Sequence, residues 1–355
     1  MKTNFFEHIF RTNISNMKSY IPGEQPQNDS FIKLNTNENP YPPSKSILNR
    51  LREACTQELR LYPDPDATRL RSLLSKTFAK QPEQFIVGNG SDELLTILIR
   101  SFVGENDRIA YAYPTYGYYQ PLIDVQGAKA IVTEYPDDFS LPAGLADADA
   151  NLTFLVNPNS PSGTLLPVEI LDDLASSVNG ILAIDEAYVD FSTGGAMELV
   201  EKHMNVVIVR TMSKSFSLAG MRIGFACANA ELIAGMLKVK DHYNVNRLSL
   251  VAAEAGLEDI GSMRKNASLI SNTREKLIDD LRDLGFYVWE SAANFVLVRS
   301  PQIPAKTLYS KLKERGLLVR HFNQRRLDDC LRITVGTNDE TAFLVDQLRL
   351  ILNGQ

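Results

Sequence analysis

Residues 206–224 read VVIVRTMSKSFSLAGMRIG, and the architecture of the whole chain can be worked out from them. Four β-branched residues, Val206, Val207, Ile208 and Val209, make an apolar run suited to a fully buried strand. The run then breaks into small and hydroxylated residues around one lysine, Lys214, and reaches Arg222 eight residues later. An ammonium just past a buried strand is costly, because its charge loses water. Ser213, Ser215, Ser217, Ala219 and Gly220 leave room for a bulky ligand and offer hydroxyls. The plainer alternative is a loop whose lysine snorkels to water. The remainder of the chain decides between the two.

Moving outward, the same texture repeats. Short apolar runs at residues 85–87, 108–112, 130–134, 152–156, 181–184 and 224–227 alternate with amphipathic segments at 92–102, 116–126 and 168–178. This alternation predicts an α/β fold in which seven strands form a mostly parallel sheet. Ligands of such sheets lie beyond the carboxyl ends of the strands. Upstream, residues 1–34 read as an N-terminal arm. A turn-rich loop, Asn35 to Pro40, follows, and Ser44 is placed to cap a helix running to about Arg60. Its predicted inner face is Ile47, Leu48, Leu51 and Leu59; a second helix at 67–79 carries Leu70, Leu73, Leu74 and Phe78. Beyond Asn229, helical patterns at 231–240 and 250–284, short strands at 287–289, 295–298, 317–319 and 331–334, and a closing helix at 339–352 predict a smaller α+β unit. The expected organisation is arm 1–34, large domain 35–250 and small domain 251–355.

Composition narrows the function. The chain has 355 residues, 44% hydrophobic and 23% charged, with a net charge of −6, an acidic balance that speaks against nucleic acid as a partner. Cys55, Cys227 and Cys330 are scattered, and His8, His203, His242 and His321 form no paired pattern, so neither a disulfide framework nor a metal site is expected. Glu7, His8 and Arg11 interrupt the apolar residues of the N-terminus, unlike a signal peptide. No apolar run approaches the roughly 18 residues of a spanning helix. A cytoplasmic protein without a membrane partner is the expectation.

Four clusters of polar residues follow strand runs. Gly88-Asn89-Gly90-Ser91-Asp92-Glu93 leads into a helix that Ser91 is expected to cap. Free amides and the helix dipole there make an anion seat, provided Asp92 and Glu93 turn their carboxylates away. Asn157 is flanked by Pro158 and Pro161, which would hold its amide stiffly at a strand end. Asp185-Glu186-Ala187-Tyr188 places a carboxylate after four apolar residues, where it should be buried and in need of a cation, from an arginine or from a ligand. The fourth cluster is Ser213-Lys214 with Arg222. A lysine, a carboxylate, an amide, a phenol and an anion seat are the parts needed to hold pyridoxal 5'-phosphate: lysine to form a Schiff base, acid to keep the ring nitrogen protonated, amides and arginine for the phosphate.

The run from Thr211 to Gly220 resembles the signature of class-II pyridoxal-phosphate aminotransferases. Asn37-Glu38-Asn39-Pro40, Tyr62-Pro63-Asp64, Gly90-Ser91-Asp92-Glu93, Pro114-Thr115-Tyr116, Asn157-Pro158-Asn159, Asp185-Glu186-Ala187-Tyr188 and Leu331-Arg332-Ile333-Thr334-Val335-Gly336 are similar, in order, to the histidinol-phosphate aminotransferases. The resemblance spans about residues 20–350. It implies an aspartate-aminotransferase-like (fold type I) homodimer with shared sites. By that likeness Lys214 carries the cofactor and Asp185 pairs with its ring nitrogen. Asn157 and Tyr188 bond its phenolic oxygen, and Tyr116 stacks on the ring. Ser91, Asp92, Ser213 and Arg222 hold the phosphate, joined by Tyr62 of the second subunit. Arg332 clamps a carboxylate, Arg320 takes a second anionic group, and Tyr20, Asn37 and Asn246 line the substrate pocket. Ser160 and Ser162 stand where the family usually has Asn and Thr, and residues 321–326 depart from its pattern. The reaction implied is ping-pong transfer of an amino group from L-glutamate to imidazole-acetol phosphate, giving L-histidinol phosphate. Two relatives of the same fold stay open beside it: an aromatic or broad-specificity aminotransferase and a threonine-phosphate decarboxylase. A ligand-sensing regulator would need a DNA-binding domain, and no helix-turn-helix pattern occurs.

Overall fold

The computed structural model describes residues 9–26, 31–300 and 302–354. Met1 to His8 and residues 27–30 of the expected arm lie outside them. In chain order the strands are β1 (Ile32–Lys33), β2 (Phe85–Gly88), β3 (Arg108–Tyr113), β4 (Lys129–Glu134), β5 (Leu152–Val156), β6 (Ile181–Asp185), β7 (Val206–Thr211) and β8 (Gly224–Ala228). They are followed by β9 (Tyr287–Val288), β10 (Phe295–Arg299), β11 (Leu317–Leu318), β12 (Arg320–His321) and β13 (Cys330–Thr334).

All seven expected runs of the large sheet form strands, in the order β2-β8-β7-β6-β5-β3-β4. β8 runs antiparallel to both its neighbours and the other six strands share one direction. Their side chains alternate between two cores. Phe85, Val87, Leu155, Leu182, Ile184 and Ile208 face one side, against Leu70 and Leu74 of the helix Thr68–Phe78 and Leu171 and Leu174 of the helix Val168–Ser177. Ile86, Phe154, Val156, Ala183, Val207 and Val209 face the other, against Leu94, Leu95 and Leu98 of the helix Ser91–Phe102. Helices on both faces explain why the central strands are unbroken apolar runs.

A four-stranded antiparallel sheet, β12-β13-β10-β9, forms farther along the chain, and β1 pairs in parallel with β11. β1 and β12 are too short to show a period in sequence. Other boundaries moved for local reasons. The first long helix spans Lys45–Ala54, capped by Ser44 as expected, but a second cap at Thr56 starts a separate turn at Gln57–Arg60, and Leu59 faces outward. The expected segment at 250–284 divides at Asp259 into Arg247–Glu258 and Ile260–Asp283. Among the described residues no helix is long and apolar enough to cross a membrane, and no group of three or more His, Cys, Asp or Glu side chains could hold a metal.

Candidate active site

The carboxyl ends of β5, β6 and β7 carry the groups that matter. Asp185 ends β6 and is 3% exposed. Its Oδ1 accepts the Ala187 N–H at 3.1 Å, and Tyr119 donates its hydroxyl to Oδ2 at 3.5 Å. Arginine does not supply its counter-charge: Arg210 pairs with the neighbouring Glu186 at 2.7 Å instead. The reason is the strand's alternation, which sends adjacent side chains to opposite faces. Burial without a countercation pushes the Asp185 carboxyl up to about 7. A protonated ring nitrogen is the kind of group that would ionise it.

Lys214 lies past the end of β7 and is half-buried. Its Nζ donates to the Thr36 carbonyl at 3.2 Å and stands 5.9 Å from the centre of the Tyr188 ring. Burial, reinforced by the charge of Arg332, lowers its amine to about 8. Asn39 braces this loop from outside, donating to the carbonyls of Lys214 and Ser215 at 3.0 and 3.1 Å. In the sequence Thr36 stands out only as part of a turn-forming loop, and Asn39 only as part of the family-like motif Asn37 to Pro40, with no role given to either.

Tyr188 is buried and accepts a hydrogen bond from Asn37 Nδ2 at 3.1 Å. Asn37 is itself fixed on all sides. It sits at φ +56°, a region asparagine tolerates; its amide N–H and Oδ1 both meet Thr334 Oγ1 at 3.0 Å, and Asn294 donates to its carbonyl. Asn37 therefore ties β13 to the tyrosine. Asn157 forms a two-point pairing with Leu166, Oδ1 accepting at 2.8 Å and Nδ2 donating at 3.1 Å. One of its two amide hydrogens stays available for a ligand.

The anion seat has a different cap from the one expected. Gly90, at φ +82°, is the N-cap and Ser91 is the first helical residue, with no side chain bonded to the exposed amides. A Cβ on Gly90 would lie 2.6 Å from Arg222 Nη2, so the glycine makes space as well as the turn. Glu93 turns away, accepting from Asn89 N and from Asn244 Nδ2 at 2.7 Å. Asp92 does not: it accepts from Arg222 Nη2 at 3.1 Å and from the Tyr116 hydroxyl at 3.0 Å. Arg222 also reaches Ser213 Oγ at 3.4 Å. Tyr116 stands in the loop before the helix Tyr119–Gln126 rather than on it, edge-on to Tyr20 and Tyr119.

On the other side of the cluster are two arginines. Arg332 donates to the Asn35 carbonyl at 2.9 Å and to Ser160 Oγ at 3.3 Å, while its buried Nε has no partner. Burial lowers its pKa from the usual arginine value. Arg320 spends its fork on the carbonyls of Ile21 and Pro22, at 3.0 and 3.1 Å, which holds the segment carrying Tyr20 beside the cluster.

The model of the family described as aminotransferase class I and II matches residues 29–348. Histidinol-phosphate aminotransferase 1 of Trichormus variabilis is 43% identical over 347 residues, covering 97% of this chain and 99% of that protein. The chain belongs to the class I and II aminotransferases, among the histidinol-phosphate aminotransferases. The solved histidinol-phosphate aminotransferase of Sinorhizobium meliloti, in complex with pyridoxal-5'-phosphate, superposes with a TM-score of 0.89 at 24% identity, over 98% of each chain. A double mutant of Thermus thermophilus aspartate aminotransferase gives 0.82 at 20% identity, over 96% of this chain and 99% of that one. The fold is thus the aspartate-aminotransferase one.

Two residues singled out in the sequence stand apart from the aminotransferase cluster within one chain. Tyr62 is 76% exposed and stacks on Tyr243 at 4.3 Å. Asn246 is exposed and caps the helix Arg247–Glu258, accepting from Ser249 N at 2.9 Å.

Proposed function

We propose that this aminotransferase binds pyridoxal 5'-phosphate between Asp185 and Lys214 and exchanges an amino group between L-glutamate and imidazole-acetol phosphate, forming L-histidinol phosphate. The observation that carries the reading is the buried, cation-seeking Asp185 placed with a lysine whose amine titrates near 8. The cofactor fits what is otherwise unsatisfied: an uncapped helix end at Ser91 and a spare hydrogen on Asn157. Bound there, it would supply an aldehyde that receives the amino group and a ring that takes up the electron pair released at Cα.

The chain's own residues would then divide the work. The ionised Asp185 holds a proton on the ring nitrogen. Asn157 and Tyr188 donate to the phenolic oxygen, and Tyr116 covers the ring. The amides of Ser91 and Asp92, with Ser213 and Arg222, hold the phosphate once Asp92 releases Arg222. Lys214 Nζ, in its neutral form, would take the proton from Cα as base and deliver it as acid to the carbon that was the cofactor's aldehyde. Arg332 holds the α-carboxylate in a planar fork, and its unpartnered Nε offers one of the donors. Arg320 takes the second anionic group when it exchanges the carbonyls of Ile21 and Pro22 for it, with Tyr20 and Asn37 of the same chain, and Asn246 of a second copy, at the substrate's side.

We take the division into arm, large domain and small domain, and a cytoplasmic homodimer, as parts of the same reading. Leu59, Leu61, Tyr62 and Tyr243 make an exposed apolar face, which a second copy would cover while bringing Tyr62 to its partner's phosphate seat. Single-turnover absorbance of the cofactor-loaded protein tests the substrate. Rapid bleaching by histidinol phosphate and slow bleaching by phenylalanine supports the reading. Equal rates would make it an aromatic aminotransferase, and carbon dioxide release from threonine phosphate alone would make it a decarboxylase.

A further inference from the structure

Residues 321–326 leave the four-stranded sheet at the end of β12 and lie against the edge of the seven-stranded one. Tyr113, the last residue of β3, donates its hydroxyl to the Arg325 carbonyl at 2.7 Å, and the Arg325 guanidinium stands 5.7 Å over the Tyr113 ring. That guanidinium pairs with Glu134, the last residue of β4. Arg326, at φ +66°, donates to the Tyr135 carbonyl and pairs with Asp137 at 3.2 Å. The Arg325–Glu134 pair is exposed, so it contributes little to stability. Its effect is on geometry.

Each end of this loop leads to the active site. At one end the Phe322 ring lies 5.4 Å from the Arg320 guanidinium and 5.6 Å from that of Arg332. At the other, Tyr113 runs directly into Pro114, Thr115 and Tyr116, and Tyr116 bonds Asp92. A short loop therefore joins the two arginines of one sheet to the tyrosine loop of the other.

We propose that Arg325 and Arg326 are positioning residues. They latch the four-stranded sheet to the ends of β3 and β4, and so set the span between the Arg320–Arg332 pair and Lys214. A substrate that carries an anionic group at one end and reacts at the other has to bridge that span. Releasing the latch weakens binding of such a substrate before it slows the chemistry. The kinetic part of this inference rests on the reaction proposed above; the geometric part does not.

The chain contains one tryptophan, and it stands at the same seam. Trp289 donates its indole N–H to the Asp137 carbonyl at 2.8 Å and meets Phe139 edge-on at 6.0 Å. Its emission reports the latch with no substrate or cofactor present. Raising ionic strength from about 0.05 to about 0.5 M shortens the Debye length from roughly 14 to about 4 Å, and should shift wild-type emission to the red. The double variant Arg325→Ala, Arg326→Ala should show the shifted emission already at low salt. In turnover it should raise KM for histidinol phosphate about tenfold while changing kcat less than about twofold. Joining Arg325→Glu to Glu134→Arg should restore most of the KM lost by Arg325→Glu alone.

Wild-type emission and KM in the double variant would overturn the latch. So would a fall in kcat at constant KM, or a swapped pair that fails to recover, since a merely structural loop gives those results. If histidinol phosphate is not turned over at all, the proposed reaction fails. The emission and charge-swap arms, the latter read with glutamate, still decide the latch.

Discussion

Arg320 and Arg332 stand directly opposite each other across β12 and β13. Like charges in opposed positions destabilise an antiparallel pair, and this one is offset only partly, by carbonyls from the arm and from Asn35. The arrangement suits an anion better than it suits the fold. Arg320→Gln should leave the melting temperature within about 2 °C of wild type, because relief of repulsion offsets the lost arm bonds, yet it should weaken the phosphate-bearing substrate. Arg332→Lys should raise KM for glutamate about tenfold or more, since a compact ammonium cannot reproduce a planar fork. Thermal melts beside steady-state kinetics check both, and an unchanged KM in Arg332→Lys removes the clamp.

Asp185 gives a prediction whose sign is opposite to that of an ordinary paired carboxylate. Its folded value lies above the unfolded one, near 7, so the cofactor-free native state holds the proton more tightly than the unfolded chain does. Stability from this group is present at low pH and is lost as pH rises from about 4 to about 7. The span corresponds to on the order of 4 kcal/mol. Asp185→Asn should flatten that dependence in urea titrations of the cofactor-free protein, and at pH 8 should unfold no more easily than wild type. Turnover should fall by about a hundredfold or more, because an amide cannot hold the ring-nitrogen proton. A wild-type stability that is level across this range would contradict the account.

Lys214 titrates in the other direction. Its folded value is lowered to about 8, so protonation costs stability in the fold below that pH, and the cost is relieved as pH rises from about 8 towards the unfolded value. At pH 7 about a tenth of such amines are neutral, against fewer than about one in a thousand for an exposed lysine. The rate at which the cofactor-free protein takes up pyridoxal phosphate should climb through pH 8 and then level off in stopped-flow absorbance. In Arg332→Gln the midpoint should move up, because the charge of Arg332 is the second cause of the lowered value. A midpoint that stays put would separate the two residues.

What could be read in the sequence was local. Seven apolar runs became the seven strands of the large sheet, and the motifs found after them lie at the strand ends, because a strand end is set by its own residues. What could not be read was closure between distant segments. Asn37 and Thr334 bond across 297 positions, and the fork of Arg320 is held by Ile21 and Pro22. Nothing in either segment announces the other. Of the two partners open to Asp185, an arginine or a ligand, the arginine went to Glu186, because alternation along β6 decides which face a carboxylate meets. The cap was read as Ser91 because serine is a good N-cap, but backbone φ, which sequence does not display, put Gly90 there.

Gly90 is thus the residue that tests the anion seat most directly. A φ of +82° is a conformation other residues rarely adopt, and an added Cβ would lie 2.6 Å from Arg222 Nη2. Gly90→Ala meets both penalties, about 1 kcal/mol or more from the backbone alone, and the guanidinium must move to admit the methyl. Arg222 is the side chain that links Ser213 to Asp92, so its displacement should disturb phosphate binding more than general folding. The expected result is a lower melting temperature together with pyridoxal phosphate affinity weakened about tenfold or more, while pyridoxal without its phosphate binds as it does to wild type. Equal weakening for both ligands would place the damage in the fold and not in the seat.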